Sequence, residues 1–409
     1  MELLDRHLLP WARVLLEVTP ILVIEGARQV GKSTLARMLS QGDVLFTTMD
    51  DDLTRAFAQD DPHGFLVSAG PRRLVIDEIQ RCPELVLPLK AAVDRDRTPG
   101  RFIITGSANL LRVPEAKDSL AGRAMTIRVH PFSQGELGKV SDDWVTRIQE
   151  GRIDSDDPPP ERGQLVERMV RGGYPAVQGV SARIRSAWHA DYVDRLIERD
   201  STDLGATQLP TLRKLLGLVV AAPGGEVVVE RMADALGVAR GTVTRYLDIL
   251  EGLFLIHRIP SWSRNLTTRQ VGRTKIYPSD PGLAASLSHL TVDHLATPHG
   301  ADHLGPLAET FVVNELMRQQ GWSAATFTLS HYRDRNGAEV DIVIETPNGV
   351  IGVEVKSTST ARPDHFKHLI GLRERLGNEF LAGVVLSLGS ARPAGDRLHA
   401  LPISSLWDA

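Results

Sequence analysis

Residues 21–39 read ILVIEGARQVGKSTLARML, an apolar run, the octapeptide GARQVGKS, and a stretch with helical spacing. GxxxxGK[ST] between strand and helix is the pattern of a loop whose backbone N–H groups cradle phosphates. Gly26, Ala27, Arg28, Gln29, Val30, Gly31, Lys32, Ser33 and Thr34 are therefore expected around a nucleotide. Lys32 reaches the β and γ phosphates and the Ser33 hydroxyl holds Mg2+. Such a loop needs a parallel sheet behind it, and short apolar runs recur at 21–25, 44–48, 74–77, 102–105 and 126–129 with helix-like stretches between them.

The third run ends in two acids, Leu74-Val75-Ile76-Asp77-Glu78. Asp77 reads as the Mg2+ partner and Glu78 as the base that polarises an attacking water; the alternative is an acidic cap on the next segment. The fourth run ends in Thr105-Gly-Ser107-Ala-Asn109, small polar groups at the sheet edge where α/β proteins bind ligands. Ser107 is taken as a nucleotide contact. Arg123, just before the fifth run, reads either as an arginine finger offered to a neighbouring subunit or as a surface arginine.

Beyond the sheet, 141–163 carries seven carboxylates and three consecutive prolines and is expected to be an exposed loop or linker. Apolar spacing from 164 to 222 is helical. The single cysteine, Cys82, excludes an internal disulfide, and no uncharged run approaches the length of a membrane span, so a cytoplasmic protein is expected, with no membrane partner. The net charge of -4 says little about partners; its distribution says more.

Residues 229–236 and 240–251 form a helix-turn-helix pattern about Gly237, and the following strand-like segments supply the hairpin of a winged helix. No acid lies between Glu251 and Asp280, while Arg258, Arg264, Arg269, Arg273 and Lys275 add five positive charges. With Arg240 and Arg245 on the second helix, these residues predict contacts to DNA phosphates; the competing reading is an interdomain spacer.

AEVDIVIE and GVIGVEVKS flank Thr346-Pro-Asn-Gly349, a hairpin. Alternation puts Val340, Ile342, Ile344, Ile351, Val353 and Val355 on one apolar face. A four-residue loop sets Asp341 opposite Glu354; a two-residue loop sets it opposite Lys356. Either register gathers two carboxylates and a lysine, the set for metal-assisted phosphodiester hydrolysis with Mg2+ or Mn2+, or else a salt-bridged solvent face.

GARQVGKS, LVIDEIQ, TGSAN and SLAGRA, followed by GGYP, KIYPSDPGLAASL, LAETFVVNEL and GVEVKS, resemble the bacterial and archaeal AAA+ ATPases whose C-terminal half is a domain of unknown function. The resemblance implies ATP bound between subunits of a ring, a hexamer. D-x12-E-x-K on a hairpin resembles the PD-(D/E)xK nucleases, which implies a first-helix acid; Glu309 fits by its place in LAETFVVNEL, and Glu315 is the other choice.

The expected fold is α/β: a P-loop AAA+ parallel sheet (1–135), a linker and helical lid (136–222), a winged helix (223–290) and a restriction-endonuclease-like domain (291–409). The expected function is ATP hydrolysis coupled to DNA binding and processing, as a metal-dependent nuclease on branched or other structured DNA. The alternative is a regulatory or assembly ATPase whose nuclease-like domain is an inactive scaffold.

Overall fold

The computed structural model describes residues 3–106, 120–153, 159–265, 269, 272–334 and 337–407. The chain divides into two compact units, Met1–Phe132 with Gly252–Phe254, and Ser133–Glu251 with Leu255–Ala409. Among the described residues no helix is long and apolar enough to cross a membrane.

All five apolar runs of the first unit are strands: β1 (Ile21–Gly26), β2 (Val44–Thr48), β3 (Arg73–Asp77), β4 (Phe102–Gly106) and β5 (Ala124–Val129). They form one sheet in the order β2-β3-β4-β1-β5, with every neighbouring pair parallel. Helices α1 (Leu8–Leu16), α2 (Lys32–Leu39), α3 (Asp52–Asp60), α4 (Pro62–Val67) and α5 (Val86–Arg95) surround it. The inner strands are buried on both faces, which is why they read as unbroken apolar runs. Because all strands run the same way, the segments after β1, β3 and β4 emerge at one edge of the sheet.

The second unit opens with α6 (Gln134–Gly138), α7 (Trp144–Gln149), α8 (Arg162–Arg171) and α9 (Ala182–Arg195). Helix α7 corrects the expectation of an exposed linker. Trp144, Val145 and Ile148 bury one turn of that acid-rich stretch, and the Trp144 indole donates to the Ser405 hydroxyl at 3.2 Å. Next come α10 (Leu209–Ala221), β6 (Gly225–Glu226), α11 (Val229–Leu236), α12 (Arg240–Gly252), β7 (Ile256–Ile259) and β8 (Lys275–Pro278). Their three strands pair antiparallel in the order β6-β8-β7.

After α13 (Pro281–Leu287) and α14 (Val292–Ala296) comes the long helix α15 (Ala301–Gln319). Then follow β9 (Thr328–Arg333), β10 (Glu339–Thr346), β11 (Gly349–Val355), helix α16 (Lys367–Leu376), β12 (Phe380–Ser387), β13 (Arg392–Gly395) and β14 (Leu398–Pro402). The sheet order is β13-β14-β12-β11-β10-β9. Strands β10 and β11 form the expected hairpin, and β11 and β12 are parallel, joined through α16.

The hairpin pairs Glu345 with Val350 and Ile342 with Val353, the register that sets Asp341 against Glu354. Residues 342, 344, 351, 353 and 355 share one core face, as alternation requires. Val340 does not. The pairing of β10 with β9 shifts between Val340 and Val343, and this irregularity turns Val340 onto the opposite face, with Val343 and the α16 side chains Leu369 and Leu372. The face expected to meet solvent is therefore covered by α16, and only its end stays polar.

Candidate functional site

In the first unit, β1 delivers the glycine-rich loop to the C-terminal edge of the sheet. Gly26 is needed there because a Cβ would sit 2.2 Å from the Val129 carbonyl oxygen of β5. Gly31, at φ 97°, turns the chain into α2 from the left-handed region. Arg6 fastens the loop from outside, donating to the carbonyl oxygens of Val30 (2.8 Å) and His130 (2.7 Å). Lys32 is buried, and its ammonium donates to the Gly26 and Ala27 carbonyl oxygens at 3.1 and 2.8 Å. The Ser33 hydroxyl donates to Asp77 at 2.9 Å. Ala27 is buried, Arg28 and Thr34 are half-buried, and Gln29 is exposed on the loop.

Thr105 completes this corner. Its hydroxyl donates to Asp77 at 2.5 Å and accepts the Glu78 N–H at 3.1 Å, so it fixes both acids. Glu78 has a left-handed backbone, φ 56°, which turns its carboxylate away from that of Asp77 and toward the Gln80 amide. Adjacent acids thus take different directions. The loop N–H groups, Lys32, Ser33 and Asp77 fit a Mg2+-nucleotide: the Ser33 hydroxyl and Asp77 carboxylate already lie together where a shared cation would sit. Ser107 lies outside the described residues.

Arg123 is not at this site in its own chain. It precedes β5, whose Ala124 pairs with Ile21 at the start of β1, so it belongs to the opposite sheet edge. Its guanidinium is clamped by Asp94 through two bonds of 2.7 and 2.9 Å.

The second unit gathers a buried cluster of charge. Glu309 comes from α15, Glu339 and Asp341 from β10, and Glu354 from β11, with Lys356 just beyond it. Between them stands Lys275 of β8, its side chain only 4% exposed, 3.0 Å from Glu309, 2.9 Å from Glu339 and 4.0 Å from Asp341. The Lys356 ammonium lies 2.6 Å from Glu354 and 3.6 Å from Asp341. Tyr277 donates its hydroxyl to Glu309 at 2.5 Å, and Asp341 accepts the Val355 N–H at 2.8 Å.

Burial, then the Asp341 charge, pushes Glu309 up to about 7 against the pull of Lys275. The same two causes push Glu354 up to about 8 against Lys356. Burial works against both ammonium groups, yet the surrounding carboxylates raise Lys275 and Lys356 above the ordinary lysine value.

This geometry confirms the gathering of Asp341, Glu354, Lys356 and Glu309, and separates Glu315 from them. Glu315 is instead joined to Arg318 and accepts the Gln134 N–H at 2.8 Å, in a buried network. It also makes one correction. Lys275 is no surface DNA contact, because its ammonium is enclosed by acids. Two lysines stand among those acids, and among the described residues no group of three or more His, Cys, Asp or Glu side chains is arranged to hold a metal. Lys275, Glu339 and Tyr277 are the members that sequence reasoning missed in this role; for Lys275 and Tyr277 the only signal was the four-residue strand KIYP, paired with β7.

The other basic residues of the segment are also engaged. Arg269 makes a two-bond pair with Glu345 at 2.6 and 2.9 Å, and Arg264 lies 3.0 Å from Glu379. Arg273 lies 3.6 Å from Glu226 and Arg240 lies 3.1 Å from Glu230. Arg245 donates to the Gly205 carbonyl oxygen.

Two mycobacterial proteins, uncharacterized protein Rv2008c of Mycobacterium tuberculosis and uncharacterized protein Mb2031c of Mycobacterium bovis, are each 30% identical to the chain over 345 residues. The matches cover 83% of this chain and 71% of each relative. The chain belongs to their family. Within it, an AAA domain model matches residues 18–138, a domain of unknown function (DUF8612) matches 162–294, and another (DUF4143) matches 304–406. With the phosphate loop and the five-stranded parallel sheet, the first of these makes the first unit an ATPase domain of the AAA type. Lys275 and Tyr277 lie in the second matched region and the acids they touch lie in the third, so the charged cluster joins both.

Among solved structures, the Walker-type ATPase PABY2304 of Pyrococcus abyssi is similar over 70% of this chain and 96% of its own, at 17% identity and a TM-score of 0.42. A single-substitution variant of RuvB from Thermotoga maritima is similar over 62% of this chain and 86% of its own, at 19% identity and a TM-score of 0.28.

Proposed function

We propose that the chain is an ATP-hydrolysing AAA-type protein that binds DNA and holds it with a nuclease-like C-terminal domain that does not cut in the conformation described. The observation that carries this reading is Lys275, whose ammonium stands among the acids of a nuclease-like site.

The topology supports the rest. Helix, strand, helix, helix, strand, strand with sheet order β6-β8-β7 is the arrangement of a winged helix. Helix α15, strands β9 to β11, α16 and β12 follow the α-β-β-β-α-β order of the PD-(D/E)xK fold, with Glu309, Asp341, Glu354 and Lys356 at the motif positions. In the ATPase domain, Lys32 and the loop N–H groups bind phosphates, Ser33 and Asp77 hold Mg2+, and Glu78 takes the proton of the attacking water. Bound Mg2+ supplies charge neutralisation at the γ-phosphate. Arg123, once free of Asp94, serves a neighbouring subunit in a ring, a hexamer by family resemblance.

A second reading, cutting after Lys275 withdraws, is favoured by Lys356 standing within 3.6 Å of Asp341. Incubation with labelled linear and branched DNA, Mg2+ or Mn2+, with and without ATP, separates the two. Binding without cleavage is expected. Cleavage that disappears in Lys356→Ala establishes the second reading, and absence of both binding and cleavage overturns the DNA assignment.

A further inference from the structure

A cleft of about 500 Å3 lies between α16 and residues Tyr332, Asp334, Gly337 and Ala338, and it belongs neither to the nucleotide loop nor to the acidic cluster. Its lining includes Tyr332 and Asp334 on the β9 side and Lys367, His368, Gly371 and Arg375 along α16. Positions 367, 371 and 375 recur every four residues and therefore share one helix face. Gly371, where an added Cβ would meet nothing within 4 Å, leaves a notch between the two long cations. These stand eight residues apart, about 12 Å along the axis.

Partnering sets Lys367 and His368 apart from the basic segment described above. Arg264, Arg269 and Arg273 are each spent on a carboxylate. Lys367 and His368 have no protein partner among the described residues. Arg375 donates to the Tyr332 hydroxyl, lies 5.4 Å from that ring's centre and pairs with Asp334 at 3.7 Å, with its side chain 54% exposed, so a phosphate here shares the guanidinium with that carboxylate. A guanidinium oriented by its neighbours and an unpartnered ammonium on the same helix face each suit phosphate, the first as a forked donor and the second as a point charge. The basic segment also reaches this helix, since Arg264 donates to the Leu376 carbonyl oxygen at 3.4 Å and Trp262 packs on Tyr332.

We infer that this cleft is a phosphate-binding site, taking either the backbone of a nucleic-acid strand or a free phosphate group. The strand form rests on the DNA reading above and gives it a location; the free-phosphate form does not depend on it.

The test measures anisotropy of a short fluorescein-labelled single strand across a salt series. It also measures the thermal midpoint with inorganic phosphate. Both use the full chain and Lys367→Glu/Arg375→Glu, with Lys367→Glu alone as the variant that disturbs no protein contact. The nucleotide loop is common to all and cancels in the comparison. The double variant is expected to bind the strand roughly tenfold more weakly, with a salt slope shallower by about 1.4. Strand binding that is equal in all three proteins overturns the site and leaves the DNA reading standing. If no protein binds the strand but phosphate raises the midpoint of the wild type more than that of the variants, the ligand is free phosphate. Failure of both responses overturns the site together with the DNA reading.

Discussion

The Lys275 ammonium lies 3.0 Å from the Glu309 carboxylate, an ion pair between a strand of the three-stranded sheet and the helix that opens the C-terminal domain. Removing one partner leaves an uncompensated buried charge, which costs roughly 3 to 5 kcal/mol. Lys275→Met is therefore expected to lower the unfolding free energy of the second unit by about that amount. Lys275→Met/Glu309→Gln should recover a substantial part of the loss. Denaturant titration of the two proteins checks this; a single variant as stable as the wild type would mean that the pair is not closed in solution.

The same cluster fixes a pH dependence. Glu309 and Glu354 are raised to about 7 and about 8, from ordinary values near 4.5. Between about pH 4.5 and 8 the folded protein thus holds protons that the unfolded chain releases. Their contribution to stability is greatest at low pH and declines as pH rises through that window. Glu354→Gln removes one of the two protons and should flatten the decline. Thermal midpoints at a series of pH values, wild type against variant, read the difference directly; parallel curves would remove Glu354 from the linkage.

Much of this site was legible before folding, and the part that was not has a physical cause. The hairpin register follows from local rules, since Thr346-Pro-Asn-Gly349 sets the loop and alternation sets the faces. Glu309 was separable from Glu315 by its place in the motif. Lys275 was not, because in one dimension it is the last of five cations in an acid-free run, and only pairing of β8 within its sheet carries it to the acids. Val340 departs from alternation through a pairing irregularity that leaves no mark in the apolar pattern. Trp144 was hidden by composition: one buried turn sits among carboxylates whose average argues for solvent. The inner strands of the ATPase domain were plain because burial on both faces demands unbroken apolar runs.

Within the ATPase domain, Lys32 and Glu78 have separate roles and should fail differently. Glu78→Gln keeps the Ser33–Asp77 contact and the phosphate loop, so it should bind ATP as the wild type does while turnover falls by roughly a hundredfold or more. Lys32→Ala should weaken binding itself. Equilibrium binding of a fluorescent ATP analogue beside phosphate release separates the two effects, and equal loss of affinity in both variants would contradict the assigned roles.

The clamp of Arg123 by Asp94 makes a prediction about assembly. If the arginine serves a neighbour, Arg123→Ala lowers kcat without changing ATP affinity, and wild-type kcat per chain rises with protein concentration. Asp94→Ala releases the guanidinium and should raise turnover at low concentration. Rates that are independent of concentration, with Arg123→Ala fully active, would leave the arginine as a local tie to α5.

Asp280 and Arg318 form a fully enclosed ion pair, 3.1 Å apart with side chains 0% and 1% exposed. Asp280 also accepts the N–H groups of Gly173, Gly282 and Leu283 at 2.8, 2.9 and 3.0 Å, so it caps α13 while tying the GGYP segment to it. Arg318 joins the same centre to Glu315, which holds the Gln134 N–H of α6. One carboxylate therefore serves three separate stretches of chain. Asp280→Ala takes one of two carboxylates from a buried guanidinium and the acceptor from three N–H donors together, and should cost roughly the 3 to 5 kcal/mol of a broken buried pair. Asp280→Asn retains acceptor capacity for the N–H groups and should cost less. Five of the six tryptophans lie in the second unit, so tryptophan fluorescence during denaturation reports on it. ATP binding at the first unit should survive both substitutions, and its loss in Asp280→Asn would show that this centre also supports the nucleotide loop.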